Sequence, residues 1–377
     1  MNKKTVALIL CACMLPCMLF AAGYSWLDGL IGLEVIPSVP LFDDIKFDPL
    51  SMSTSLRYLH FLDESAVPKT VRGIKYNPGD SQNGEYVDVV FNNKNRNGFL
   101  NMKLGLNQGL IRMTIGPVKA EVNLQGGLNT IFDLNGGSTA LGFDGMYQFG
   151  VNMSVFDFVD LTFGMHHFSG HLGDELLEDM NDSIASDPSF VGYRFQPLEY
   201  VRDNSWVFGV SVSPLSFLRV YGIAALPRKS SWVRPYVHVP EGTLSPSGND
   251  TMQEHSDNQE HVQDSHNAAM TAYDDSYKAW DIQTGLEISV PIWSVGSIYA
   301  GANLQLHQDG QTKHMLGEYS KDNPWEWEIN AGVGIALNKT GGGTLSIEAF
   351  YHNGRIPLLN MFYNRAEYLS FGINIAE

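Results

Sequence analysis

The chain has 377 residues and a formal net charge of −17 at neutral pH, with 17% charged residues, 37 glycines and 11% aromatics. Soluble domains carry nearer 25% charged residues, and an acidic chain is a poor partner for nucleic acid, whose binding rests on neutralising phosphates. Past the amino terminus no stretch offers about 18 uninterrupted apolar residues, which excludes a helical membrane protein.

The first residues set the compartment. Lys3 and Lys4 precede an apolar run from Val6 to Phe20 and the small residues Ala21, Ala22 and Gly23. A positive start, a short apolar core and a small-residue cleavage site predict a signal peptide over 1–22. A retained anchor is the alternative, but the run is short of the roughly 20 residues a spanning helix needs. Cys17 follows Pro16, a poor match to a lipid-attachment site. Cys11, Cys13 and Cys17 are the only cysteines, so cleavage leaves a thiol-free chain and takes the net charge to −19 with the loss of Lys3 and Lys4.

Residues 23–97 read as an N-terminal, periplasmic extension, a plug or a lid. Pro37 and Pro40 break the apolar Gly29–Phe42, and Asn77–Gly84 and Asn92–Asn97 are turn-rich. One short strand is expected at Tyr86–Phe91. From Gly98 to Glu377 the pattern becomes regular. Leu100, Met102, Leu104 and Leu106 alternate with polar residues and glycine, as do Ile111, Met113 and Ile115, and Val118, Ala120, Val122 and Leu124. The alternation recurs in Phe143–Met153, Val159–His171, Trp206–Val212, Trp280–Ile288, Ile298–Leu306, Trp325–Leu337, Thr344–Asn353 and Tyr368–Ala376, and in mixed form in Ser216–Ala225. Successive strand residues face opposite sides, so each segment has one apolar and one polar face.

About twelve such strands, in a range of ten to fourteen, predict an all-β fold, a transmembrane antiparallel β-barrel. A soluble sandwich would alternate in the same way; connection lengths separate the two. Short links (Gly116-Pro117, Phe156-Asp157, Pro214-Leu215, Pro291–Gly296, Asn338–Gly343) alternate with long ones (Leu134–Ala140, Leu172–Asn204, Leu226–Lys278, Asp309–Pro324, Gly354–Glu367). Short periplasmic turns and long extracellular loops are the asymmetry of outer-membrane barrels. Trp206, Trp280, Trp325 and Trp327 fall where strands leave long loops, as an interfacial girdle would. The chain ends Asn-Ile-Ala-Glu377, without the terminal aromatic of many such barrels. The reading places the chain in the outer membrane of a diderm bacterium, with outer-membrane lipid and the barrel assembly machinery as partners. It sets no oligomeric state.

One segment breaks the pattern. Val159, Leu161, Phe163 and Met165 share a face that continues into His167, Ser169 and His171, before Gly173, Asp174 and Glu175. A hydroxyl and an imidazole two residues apart on one face can act as nucleophile and base. Ser169 with His167 or His171 is therefore a candidate lipid or ester hydrolase site, with Asp174, Glu175 or Asn204 as the group that orients the base. His167, His171 and Asp174 are also weak candidates for a divalent metal such as zinc, although no cofactor is required. The alternative is a strand that ends in polar residues at the membrane surface. The loop 226–278 carries His238, His255, His261 and His266 among acidic residues; such a tract binds metals weakly and more often is a solvated surface loop.

The His-x-Ser pair on a strand resembles that of outer-membrane phospholipase A and lipid A deacylase, although both follow the serine with Asn where Gly170 stands here. The whole motif HHFSGHLGDEL resembles the His-x-Ser-x-His-Leu-Gly-Asp-Glu signature of domain-of-unknown-function family 1207, predicted outer-membrane proteins without an assigned activity. VNLQGGLNTIFDL, GFDGMYQFGVNMS, FLRVYGIA, AWDIQTGLEI and YHNGRIPLLNMFYNRAEYLSFGI carry the likeness further. That family implies the barrel and its location. Two other function classes stay open: a narrow solute channel through a polar lumen of Gln283, Glu287, Asn303, Glu328 and Glu348, and a non-catalytic surface or adhesive protein acting through its long loops.

Overall fold

Alternation in sequence becomes two chemically distinct walls in space. A computed structural model of the chain describes residues 31–78, 80–91, 97–135, 137, 139–197, 199–200, 203–227, 235–236, 280–292, 294–308, 325–337, 344–361 and 364–376. The leader and the histidine-bearing tract at 237–279 lie outside the described residues. Twelve strands form one closed antiparallel barrel. They are β1 (Thr54–Phe61), β2 (Gly98–Ile115), β3 (Val118–Asp133), β4 (Thr139–Val155), β5 (Val159–Leu172), β6 (Asp203–Leu215), β7 (Leu218–Pro227), β8 (Asp281–Ile292), β9 (Gly296–Gln308), β10 (Trp325–Leu337), β11 (Thr344–Arg355) and β12 (Arg365–Ala376). Neighbours in sequence pair throughout, and β1 closes the ring by pairing with β12 on one side and β2 on the other. Closure satisfies every edge, the condition for strands to cross a bilayer.

The outward wall is apolar: Leu104, Leu128, Phe149, Phe163, Val333 and Ile347 are all exposed. The inward wall is polar and buried, with Arg57, Lys103, Glu121, Asn129, Asp144, Glu348 and His352 at 3% exposure or less. Short turns gather at one rim and long connections at the other. Between β4 and β5, Phe156 and Asp157 both take positive φ (58° and 52°), the geometry of a type I′ hairpin turn. In β2 the outward set changes parity, from Leu104 and Leu106 to Ile111 and Ile115, through a register shift between Gly109 and Ile111. A β-bulge of one residue accounts for the switch without breaking the strand.

The barrel starts earlier than the pattern suggested. Thr54–Phe61 belongs to it, so residues 23–97 are not one extension preceding a barrel at Gly98. The strand was hard to read because it is only eight residues long and its inward face mixes Ser55, Arg57, Leu59 and Phe61. Residues 62–78 and 80–91 lie at the long-loop rim rather than the turn rim. There Thr70–Asn77 and Asp80–Val90 pair with each other, and Arg194–Pro197 adds to Thr70–Asn77. Together with helix α1 (Asp174–Ser186) they form a cap over the mouth. Its core includes Val71, Val89, Leu176, Met180, Ile184 and Phe195, and joins Leu358 and Met361 of the β11–β12 connection.

From the turn rim, Ile31–Val35 pairs beside the end of β2, and the chain then bends at Ile36 (φ 52°) and enters the lumen. Lumen side chains grip this inner segment by its backbone. Glu121 and Glu287 accept from the Leu41 and Lys46 amides at 3.1 and 2.8 Å. Arg219 donates to the Asp43 and Asp44 carbonyls, and buried Lys103 to those of Pro49 and Ser51. Gln283 and Gln305 hold the Asp48 carboxylate at 3.0 and 3.2 Å. Phe47 lies against Tyr299 and Phe350. Gln283, Glu287 and Glu348, candidates for the lining of a narrow solute channel, all make contacts inside the lumen: the first two with the inserted segment, while Glu348 pairs with Arg57 at 2.8 Å and accepts from Tyr299 at 2.6 Å. Burying polar groups without partners costs free energy, and the inserted segment supplies partners for Lys103, Glu121, Arg219, Gln283, Glu287 and Gln305.

Candidate functional site

Three cross-strand pairs on the outward wall define the site. β4 and β5 align Tyr147 with His167, Gly145 with Ser169, and Phe143 with His171. The imidazole of His167 stacks on Tyr147 at 4.9 Å and 25°, and that of His171 on Phe143 at 5.1 Å and 26°. Ser169 lies between the two stacks with a glycine opposite. The polar run thus continues the face of Phe163, as the period of two requires, and no bulge turns it inward. His166 and Phe168 point to the lumen side and stack on each other at 4.2 Å.

On the other flank, β6 places Asn204 opposite His167. The Asn204 Oδ1 is 2.7 Å from His167 Nδ1. An amide oxygen can only accept, so this contact places the proton on Nδ1 and leaves Nε2 as the basic nitrogen. The Ser169 hydroxyl donates at 3.5 Å to the Gly145 carbonyl, a contact at the limit of hydrogen bonding, so it is not engaged with His167 in this conformation. Nucleophile–base bonds are often long or absent before substrate binds. The pieces of a Ser–His–Asn relay therefore share one wall on two adjacent strands: the serine and imidazole on β5, the amide on β6.

Asp174 and Glu175 do something else. They form the first turn of α1, where acidic side chains favour the positive end of the helix dipole, and Glu175 accepts from the Ala140 amide at 3.1 Å. Neither is the partner of His167; Gly173 ends the strand and the helix carries both away. The metal reading loses its third ligand for the same reason. Among the described residues no group of three or more His, Cys, Asp or Glu is placed to hold an ion.

Below the serine on the same wall, Trp206 is stacked on Phe163 with ring planes 5° apart. Trp327 is exposed beneath the Arg365 guanidinium, 5.1 Å away. Trp280 is exposed at the start of β8, and Trp325 is half-buried at the start of β10. Gly145, Phe143 and Tyr147 are the parts that sequence reading missed. Nothing short of the β4–β5 register picks them out of an ordinary alternating strand.

No protein-family model matches the chain, and no curated protein matches it in sequence. Among solved structures it is similar to the calcium-bound dimer of an outer membrane phospholipase from Salmonella typhi, 12% identical, with a TM-score of 0.42 over 89% of this chain and 95% of that one. It is similar to outer membrane phospholipase A from Escherichia coli, 12% identical, with a TM-score of 0.42 over 86% and 92%. The translocator domain of autotransporter NalP from Neisseria meningitidis is 11% identical, with a TM-score of 0.32 over 85% and 88%. At these identities and TM-scores the likeness assigns no activity to this chain.

Proposed function

We propose that the chain is an outer-membrane hydrolase of acyl esters, with Ser169 as nucleophile, His167 as general base and Asn204 as the group that orients it. The observation that carries this reading is the 2.7 Å contact between Asn204 Oδ1 and His167 Nδ1, on a lipid-facing wall, with a serine two residues along the same face. A buried polar pair in a lumen needs no special purpose. A histidine, an asparagine and a serine together on a wall that otherwise presents Phe, Trp and Leu need one.

The mechanism requires Ser169 to turn from the Gly145 carbonyl and present its hydroxyl to His167 Nε2. As Oγ bonds to the ester carbonyl carbon, its proton passes to Nε2 and the carbonyl π pair moves onto oxygen. The resulting imidazolium keeps its Nδ1–H on Asn204, which fixes the ring and its tautomer. Collapse of the tetrahedral intermediate breaks the ester C–O bond, and the leaving alkoxide takes the proton from Nε2. Water then repeats the sequence on the acyl-serine, with His167 first taking its proton and then returning it to Ser169, to release the carboxylic acid.

Export through the leader and insertion by the barrel assembly machinery belong to the same reading. The long-loop rim then faces outward, and the four tryptophans mark that interface. The outer leaflet supplies the ester laterally, so no substrate has to pass through the lumen. The test is turnover of a phospholipid or a chromogenic acyl ester by the refolded barrel in detergent micelles, with and without calcium. Wild type should hydrolyse the ester and Ser169→Ala should not. Equal rates for the two proteins, or no rate for either, would sink the proposal.

A further inference from the structure

Resting on that reading, we infer that the hollow over Gly145 is the subsite for the acyl chain, and that the absence of a side chain there sets the size of acyl group Ser169 accepts. Phe143 and Tyr147 are four residues apart along β4, or about 13 Å at the rise of an antiparallel strand. Each ring is covered by an imidazole from β5. Between these two stacks β4 presents only Gly145.

A Cβ built on Gly145 would meet one atom within 4 Å outside its chain neighbours, the Ser169 Oγ at 3.3 Å. Whatever occupies that space therefore touches the serine hydroxyl and little else. Across the sheet the same row continues from Gly145 to Leu128 on β3 and from Leu128 to Leu104 on β2. Both leucines face outward and are 56% exposed. The floor of the hollow is thus apolar for two strands beyond the serine, whereas the direction of the loop rim holds His171 and the acidic start of α1. An ester whose carbonyl carbon sits at Oγ has its hydrocarbon on the leucine side and its polar alcohol portion on the rim side.

Filling the hollow should discriminate by chain length, because a steric block costs a long acyl group more than a short one. Gly145→Leu places an ordinary outward residue on a strand with no positive-φ requirement, so the barrel should still show heat-modifiable migration. Its kcat/KM for a hexadecanoyl ester should fall by about tenfold or more relative to a butanoyl ester, the scale on which a pocket discriminates a few methylenes. Gly145→Ala should lie between Gly145→Leu and wild type. Gly126→Leu fills another outward glycine, beside Tyr147 rather than Ser169, and should keep the wild-type ratio. An active wild type whose chain-length ratio is unchanged by Gly145→Leu, or changed equally by Gly126→Leu, overturns the acyl subsite and leaves the hydrolase standing. A wild type with no turnover overturns both.

Discussion

The two walls of this barrel handle polar residues in opposite ways. Inside, polarity is dense and cross-linked, although not every buried polar atom has a partner: Arg57 holds Glu348, Lys103 holds the Pro49 and Ser51 carbonyls, and Asp144 accepts from Asn129 and the Leu359 amide. Such networks fasten the inserted segment and the β11–β12 connection to the wall. Outside, polar residues are few and lie on an apolar face. His167, Ser169, His171 and Asn204 are held there by two ring stacks, the His167–Asn204 contact and the long Ser169 bond to the Gly145 carbonyl. On the proposed reading the same residue types serve different ends according to the wall they occupy: architecture within, chemistry without.

That contrast can be broken at either wall. The largest expected effect is at the outer one, where Ser169→Ala should lower ester hydrolysis by about a thousandfold or more while the unboiled protein keeps its folded migration. A substantial loss of fold in this variant would place Ser169 among the structural residues. On the inner wall, Arg57→Ala leaves the Glu348 carboxylate buried without its cation, a change that costs about 3–5 kcal/mol. It should appear as a lower urea midpoint in micelles, with hydrolysis by the folded fraction unchanged. A loss of hydrolysis at full folding would join the two walls that the comparison keeps apart.

Asn204→Ala should reduce kcat by roughly 10- to 100-fold with little change in KM, since it frees the His167 ring without touching the ester. Asn204→Asp should recover part of the rate, because a carboxylate also accepts from Nδ1–H. The smallest effect is expected from Lys103→Met, which removes a charged donor worth about 1.5–3 kcal/mol from the inserted segment. Its signature is faster proteolysis within residues 37–53 and no change in the ester assay.

Periodicity carried most of the barrel in advance. Alternation with a period of two needs only neighbouring residues, and loop lengths are read off directly, so the strands from Val118 onward and the asymmetry between rims were legible. β1 was not, because a short strand whose inward face mixes Arg57 with Leu59 and Phe61 carries no clear pattern until its partners are known. The inserted segment was illegible for a related reason. A polar inward face is identical in sequence whether water or a peptide segment fills the space beside it.

At the site, the sequence alone determined that His167, Ser169 and His171 share one face, because side-chain alternation is a local property of the strand. It could not choose among Asp174, Glu175 and Asn204, which all follow within reach of a loop. The tertiary structure decided: helix α1 carries Asp174 and Glu175 away, while the β5–β6 register brings Asn204, 37 residues further on, to 2.7 Å from the imidazole. The glycine opposite the serine came from register as well. Register is set by the closure of the whole ring, and no stretch of chain contains it by itself.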